Sequence, residues 1–229
     1  LCELACAPGF ADCDGLAATG CEQSLSDVRH CNRCGITCDY SNGVPACQDQ
    51  VCVLDACMPG WCDEDEDPAT GCERRLDTCE SVLEEGQLVE GCIDPACDDS
   101  AERLGEVIGD DLSPVRTRQG IGEAVFKVKV TEEAYSSVEM RFQAKLEVPQ
   151  GAEYRIEAWC SSGCTGNRWS QANGGPNQTV KALLRWSDTF WSDDDREVTV
   201  KVLFVSGNTC APWRLEIKGD NGQGGVSCD

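Results

Sequence analysis

The chain has 229 residues, with 41 Asp+Glu against 19 Lys+Arg and a formal net charge of −22. Acidity of that size argues against nucleic acid and anionic membrane surfaces as partners. No run of 18 apolar residues occurs, so no helical membrane span is expected.

Composition separates two regions. Residues 1–100 hold 15 of the 19 cysteines. Residues 1–113 contain 26 Asp+Glu against 5 Lys+Arg, whereas residues 114–229 contain 15 against 14. Only Phe10, Tyr40 and Trp61 precede residue 114, and eleven aromatics follow it. The chain therefore reads as mainly β: a disulfide-rich region at 1–79, an acidic linker at 80–113 and an antiparallel β-sandwich at 114–229. The first region has too few large apolar side chains to offset its chain entropy, so cross-links must substitute for a core. That many cysteines point to an oxidising compartment, secreted or at the cell surface. Leu1 then follows a removed leader, or the chain is a fragment. A reduced, zinc-rich alternative lacks ligands: His30 is the single histidine, and the spacings form no paired CxxC knuckles.

In chain order, the first feature is a repeat. CAPGFADCDGLAATGCE runs from Cys6 to Glu22, and CMPGWCDEDEDPATGCE from Cys57 to Glu73, at a constant offset of 51 residues. One structural unit is used twice. Each copy carries an acidic loop. Copy two offers Asp63, Asp65, Asp67 and Glu73; copy one keeps Asp12, Asp14 and Glu22 but has Leu16 where Asp67 stands. Alternating carboxylates in a loop converge on one point, and Ca²⁺ takes six to eight oxygens, so these residues are candidate Ca²⁺ ligands. The Gly and the final Glu are not at EF-hand positions. The bland alternative is a hydrated turn held between half-cystines.

Between the copies, Asn42-Gly43 suits a tight hairpin turn between Cys38 and Cys47. Cys31-Asn32-Arg33-Cys34 has redox spacing but no strand–turn–helix context, so disulfides are expected instead. Local pairing is expected for Cys6, Cys13, Cys21, Cys31, Cys34, Cys38, Cys47, Cys52, Cys57, Cys62, Cys72 and Cys79, with the connectivity open. In the acidic linker one short helical candidate spans Cys79–Leu88, and Cys92 and Cys97 flank an Asp94-Pro95 turn that lets them pair.

From residue 121 the period becomes two. VFKVKV (125–130), MRFQAKLEV (140–148), YRIEAW (154–159), TVKALLRW (179–186), EVTVKVLFV (197–205) and WRLEIK (213–218) read as strands half-buried on one face. With no amphipathic helix between them, an antiparallel sandwich follows. The runs AVFKVKVTE, LEVPQGAEYRIEAWC, DDDREVTVKVLF and CAPWRLEIKG, led by LGEVIGDD, resemble the pre-peptidase C-terminal type of β-sandwich, an accessory domain of secreted bacterial proteins. That family commonly has Asp-Leu after the Tyr, whereas here Arg155-Ile156 follows Tyr154. The N-terminal copies resemble the Cys-rich "GFADCDG…GCE" modules of secreted and surface proteins of myxobacteria. Neither resemblance implies an activity.

Four cysteines lie in the sandwich. Either Cys160 pairs with Cys164 and Cys210 with Cys228, or Cys210 reaches one of the first two and frees Cys228. Nineteen is odd, so if the chain is complete at least one thiol lacks an intrachain partner; it pairs with another chain or stays free, and Cys2 and Cys228 are the candidates by position. Asp193, Asp194 and Asp195 form a solvated edge loop or a cation site. Trp186 and Trp213 fall on strand patterns and belong in the core. Trp169 and Trp191 fall in loops and are candidates for stacking on a sugar. No GxSxG, HExxH, P-loop or CxxCH pattern occurs, so neither an enzyme, a bound nucleotide nor a covalent haem is expected. The reading is a non-catalytic structural or adhesive protein that self-associates or binds a surface partner. The alternative is a carbohydrate- or polymer-binding module of a larger secreted enzyme.

Overall fold

The computed structural model describes residues 5–77, 80–82, 88–90, 102–109, 111–132, 139–160, 168–187 and 194–229. The described residues are all-β, and the chain divides into two compact units, Leu1–Arg74 and Arg75–Asp229.

The first unit contains three two-stranded ribbons. β1 (Phe10–Ala11) pairs with β2 (Gln23–Ser24), β3 (Gly43–Gln48) with β4 (Val51–Cys57), and β5 (Trp61–Cys62) with β6 (Arg74–Arg75). The first and third ribbons are the same object 51 residues apart. The staple repeats with them, as Cys6–Cys21 and Cys57–Cys72. Cys13–Cys34, Cys31–Cys47 and Cys38–Cys52 tie the first copy and the middle ribbon together, and Cys62 is also disulfide-bonded. Among the described residues of this unit, the only buried apolar side chains are the half-cystines Cys31, Cys38, Cys62 and Cys72. Sulfur stands where a core would be. Phe10, Leu16, Val44, Val51 and Met58 all remain exposed.

Two details differ from expectation. The hairpin turn lies at Asp49-Gln50, not Asn42-Gly43. Both residues have positive φ (50° and 63°), as a two-residue turn of the right twist requires. Asn42 instead donates from its side chain to the Cys72 carbonyl at 2.9 Å. Cys31 and Cys34 also bond to two different partners, so they form no redox pair.

The second unit is two sheets on one core. The strands are β7 (Glu80–Val82), β8 (Leu88–Glu90), β9 (Glu102–Ile108), β10 (Arg116–Gly120), β11 (Ala124–Thr131), β12 (Met140–Glu147), β13 (Ala152–Trp159), β14 (Trp169–Gly174), β15 (Thr179–Trp186), β16 (Arg196–Gly207), β17 (Trp213–Gly219) and β18 (Val226–Ser227). One sheet runs β18-β15-β12-β17-β10-β7-β8 and the other β14-β13-β16-β11-β9. Alternation works as read. Phe142, Ala144 and Leu146 of β12, Tyr154 and Ile156 of β13, and Val198, Val200 and Val202 of β16 are all buried in one cluster. Trp213 packs edge-on against Phe126 of the opposite sheet, centroids 6.2 Å apart, and donates from its indole to the Gly122 carbonyl at 2.8 Å. Gly120 makes room for it, because a Cβ there would lie 2.3 Å from the Trp213 ring. Each large side chain buried this way contributes roughly 1.5–3 kcal/mol.

Here too the structure corrects details. The pairing is antiparallel except at two edge contacts, where β9 runs parallel to β11 and β18 parallel to β15. Glu102–Ile108, read as linker, is a sheet strand: Leu104 and Val107 reach the core while its charged residues serve an edge. Glu80–Val82, read within a helical candidate that ended at Leu88, pairs as an antiparallel strand with Leu88–Glu90. Neither proposed arrangement of sandwich cysteines holds. Cys160, just beyond β13, bonds Cys228, just beyond β18, with a Cα separation of 5.5 Å, and Cys210 is disulfide-bonded too. Cys228 is therefore not the spare thiol. Cys2, Cys79, Cys92, Cys97 and Cys164 lie outside the described residues.

Candidate functional site

Each repeat folds its acidic loop between two half-cystines. In copy one the backbone N–H of Gly15 donates to Asp12 at 2.7 Å, and that of Leu16 to Asp14 at 2.8 Å. The Thr19 hydroxyl bonds Asp14 at 2.9 Å. Glu22 closes the loop, accepting the Cys13 N–H at 2.8 Å. Copy two repeats the scheme. The Asp67 N–H donates to Asp65 at 2.9 Å, the Thr70 hydroxyl reaches Asp65 at 3.2 Å, and Glu73 accepts the Glu64 N–H at 2.9 Å. Thr70 also donates to Glu73 at 2.6 Å. Gly71 supplies the left-handed backbone (φ +89°) that returns the chain, and its bare Cα lets the Ser41 backbone approach.

The outcome is two carboxylate triads. Asp12, Asp14 and Glu22 offer oxygens all within 4.8 Å of one another, and Asp63, Asp65 and Glu73 do the same. Asp67 does not join its triad. Its carboxylate turns back to accept the Ala69 N–H at 3.0 Å. Hydrogen bonds set the local electrostatics. The Leu16 N–H holds Asp14 below its ordinary pKa. The Thr70 hydroxyl, helped by the Glu64 N–H, pulls Glu73 down to about 2. Asp63 moves the other way: desolvation raises it, against the Glu66 N–H and with repulsion from Glu73 and Asp65. One oxygen of Asp63 is buried and accepts no hydrogen bond among the described residues. Three carboxylates at this spacing supply part of the six to eight oxygens that Ca²⁺ takes as ligands. Cys31, Cys38 and Cys52 also cluster, but all are in disulfides and have no thiolate to offer.

The sandwich candidates divide. Trp169 is not in a loop; it opens β14. It stacks on Trp159 of β13, with centroids 5.0 Å apart and planes 9° apart, on the outward side of the sheet. Trp159 donates from its indole to Glu157 at 3.1 Å, and Lys201 lies over its ring at 5.9 Å. Trp186 and Trp213 are fully buried, as expected. Asp195 accepts the Glu132 N–H at 3.1 Å and pairs with Lys129 at 2.7 Å, and the Asp194 carbonyl accepts the Trp186 indole N–H at 3.0 Å. These two aspartates anchor strand ends. Trp191 and Asp193 lie outside the described residues. Sequence reasoning missed Trp159. Its signal was present, since it alternates outward in YRIEAW next to buried Ala158.

No protein-family model matches the chain, and no curated protein matches it either. The disulfides fit an oxidising environment, and no helix among the described residues is long and apolar enough to cross a membrane.

Proposed function

We propose that the chain is a non-catalytic secreted or cell-surface protein with a structural or adhesive role, which self-associates or binds a surface partner and whose repeats are stiffened by Ca²⁺. The observation that carries this reading is the duplicated triad. Two loops 51 residues apart reproduce the same staple, the same backbone hydrogen bonds and the same carboxylate convergence. A coreless unit repeated this way offers reach and a charged surface, and a cation ordering its loops stabilises the folded form alone.

A second reading has its own support. The Trp159–Trp169 stack sits beside exposed Gln171 and Asn173 on an edge strand. Indole faces next to amides suit a polysaccharide, as in an accessory module of a larger enzyme. Sedimentation of the full chain with Ca²⁺ or chelator, alongside binding to insoluble polysaccharides, separates the two. Self-association supports the first reading. A monomer that is retained on polysaccharide, and released by Trp169→Ala, supports the second.

A further inference from the structure

The outward face of the seven-stranded sheet collects cations. On β12, β15 and β17 the side chains alternating away from the core are Arg141, Gln143, Lys145 and Glu147, then Thr179, Lys181, Leu183 and Arg185, then Arg214, Glu216 and Lys218. Six are basic and two acidic, in a chain whose formal charge is −22. The register sets Arg141 opposite Arg185 and Lys145 opposite Lys181. Like charges directly opposite one another weaken a strand pair, and here one pair of strands carries two such contacts.

The molecule compensates only in part. Glu139 accepts from both Arg141 and Arg185. Glu147 takes Lys145 at 2.7 Å, and Glu216 takes Lys218 at 3.1 Å. Lys181 and Arg214 are exposed and form no ion pair with any described residue, although the register sets Arg214 opposite Glu147 and Lys145 opposite Glu216. Solubility gives no reason to gather an excess of cations on one face of an acidic protein.

We propose that this face docks the acidic repeats of a second copy of the chain. Charge complementarity selects the occupant. Residues 1–74 carry 14 Asp+Glu against 3 Lys+Arg, including the unbroken acidic run Asp63–Asp67. Asp39, Asp49, Asp55 and Glu66 are exposed and lie outside the triads. Ca²⁺ at the triads leaves the repeats acidic. The two surfaces are different patches, so the contact is head-to-tail, and repetition gives a ring or an open filament. The proposal rests on the self-association reading and specifies its interface.

The test is sedimentation velocity on the oxidised full chain at low and high salt. Exposed ion pairs are screened as the Debye length falls from ~30 Å at 0.01 M to ~3 Å at 1 M, so association is expected at low salt and lost at high salt. Lys181→Glu with Arg214→Glu weakens it at least ~10-fold, as does Asp55→Lys with Glu66→Lys, and Lys181→Gln with Arg214→Gln acts in the same direction less strongly. Thermal melts confirm that each variant is folded. An equimolar mixture of the two reversed variants regains heterodimers, because each keeps the surface the other lacks. A folded face variant that associates as tightly as wild type overturns this interface while leaving self-association standing. A wild type that is monomeric at every salt and concentration overturns both. A monomer that binds the acidic polysaccharide alginate through the same cations also overturns the proposal, reassigning the face to another anion.

Discussion

The two units solve the same problem by opposite means. Up to Arg74, the buried apolar groups among the described residues are half-cystine sulfurs, and Phe10 is 48% exposed. Beyond it, Trp213, Trp186, Tyr154, Phe126 and Phe142 are fully buried between two sheets. The five staples between described residues of the first unit close spans of 14 to 21 residues and restrain its unfolded state. The second unit gains its stability from apolar area. Covalent spacing fixes the first fold and side-chain volume the second, so each should respond to a perturbation that spares the other.

Core truncation should show the largest difference. Trp213→Ala removes a side chain that fills the space above Gly120 and bonds Gly122, and should cost roughly 3–5 kcal/mol. Phe10→Ala in the first unit should stay within about 0.5 kcal/mol. Chemical denaturation followed by a probe in each unit measures both, and equal losses would erase the distinction. Next comes a single staple. Cys38→Ala with Cys52→Ala should cost the first unit roughly 3 kcal/mol in the chain-entropy model and leave the sandwich melt unmoved.

Calcium sharpens the comparison further. If the triads bind it, a free concentration 100 times the dissociation constant stabilises the first unit by about 2.7 kcal/mol per site. Asp63→Asn with Asp65→Asn should abolish the contribution of copy two, and calorimetry with and without chelator reads it. An unchanged wild-type melt in chelator would leave both loops merely hydrated.

The smallest effect concerns pH in the sandwich. Glu123 accepts the Phe204 N–H at 3.2 Å, and burial raises its pKa, with repulsion from Asp77 adding to the rise and Arg155 and Lys201 opposing it. A raised carboxyl pKa means the folded state resists ionisation there. Stability from this group is therefore complete below the ordinary value of 4.5 and falls as pH rises through the folded pKa. Glu123→Gln keeps an acceptor for Phe204, so it should be slightly more stable than wild type at neutral pH. The gap should close in acid, and a constant gap across pH would remove the electrostatic cause.

What could be read in advance follows the same division. Six sandwich strands were legible because their inward positions carry apolar residues at period two. Arg116–Gly120 was not, because RTRQG has Arg116 and Arg118 at alternate positions. Trp169–Gly174 was not, because an edge strand needs backbone pairing more than apolar residues, and WSQANG has few. The parallel edges depend on long-range register, which no local pattern carries. In the repeats, the 51-residue offset located both triads before any coordinates. It did not locate the departure of Asp67, which follows from a turn that offers it the Ala69 N–H. Disulfide connectivity was illegible throughout: Cys160 meets Cys228 only because β18 lies beside β15.

Amide hydrogen exchange on the native protein before and after reduction, without denaturant, separates stapling by sulfur from burial of apolar area. Residues 5–74 should lose their protection when the disulfides are reduced, while the central strands β11, β12, β13, β16 and β17 keep theirs. Simultaneous loss in both units, or retained protection in the ribbons of the reduced protein, would contradict that separation.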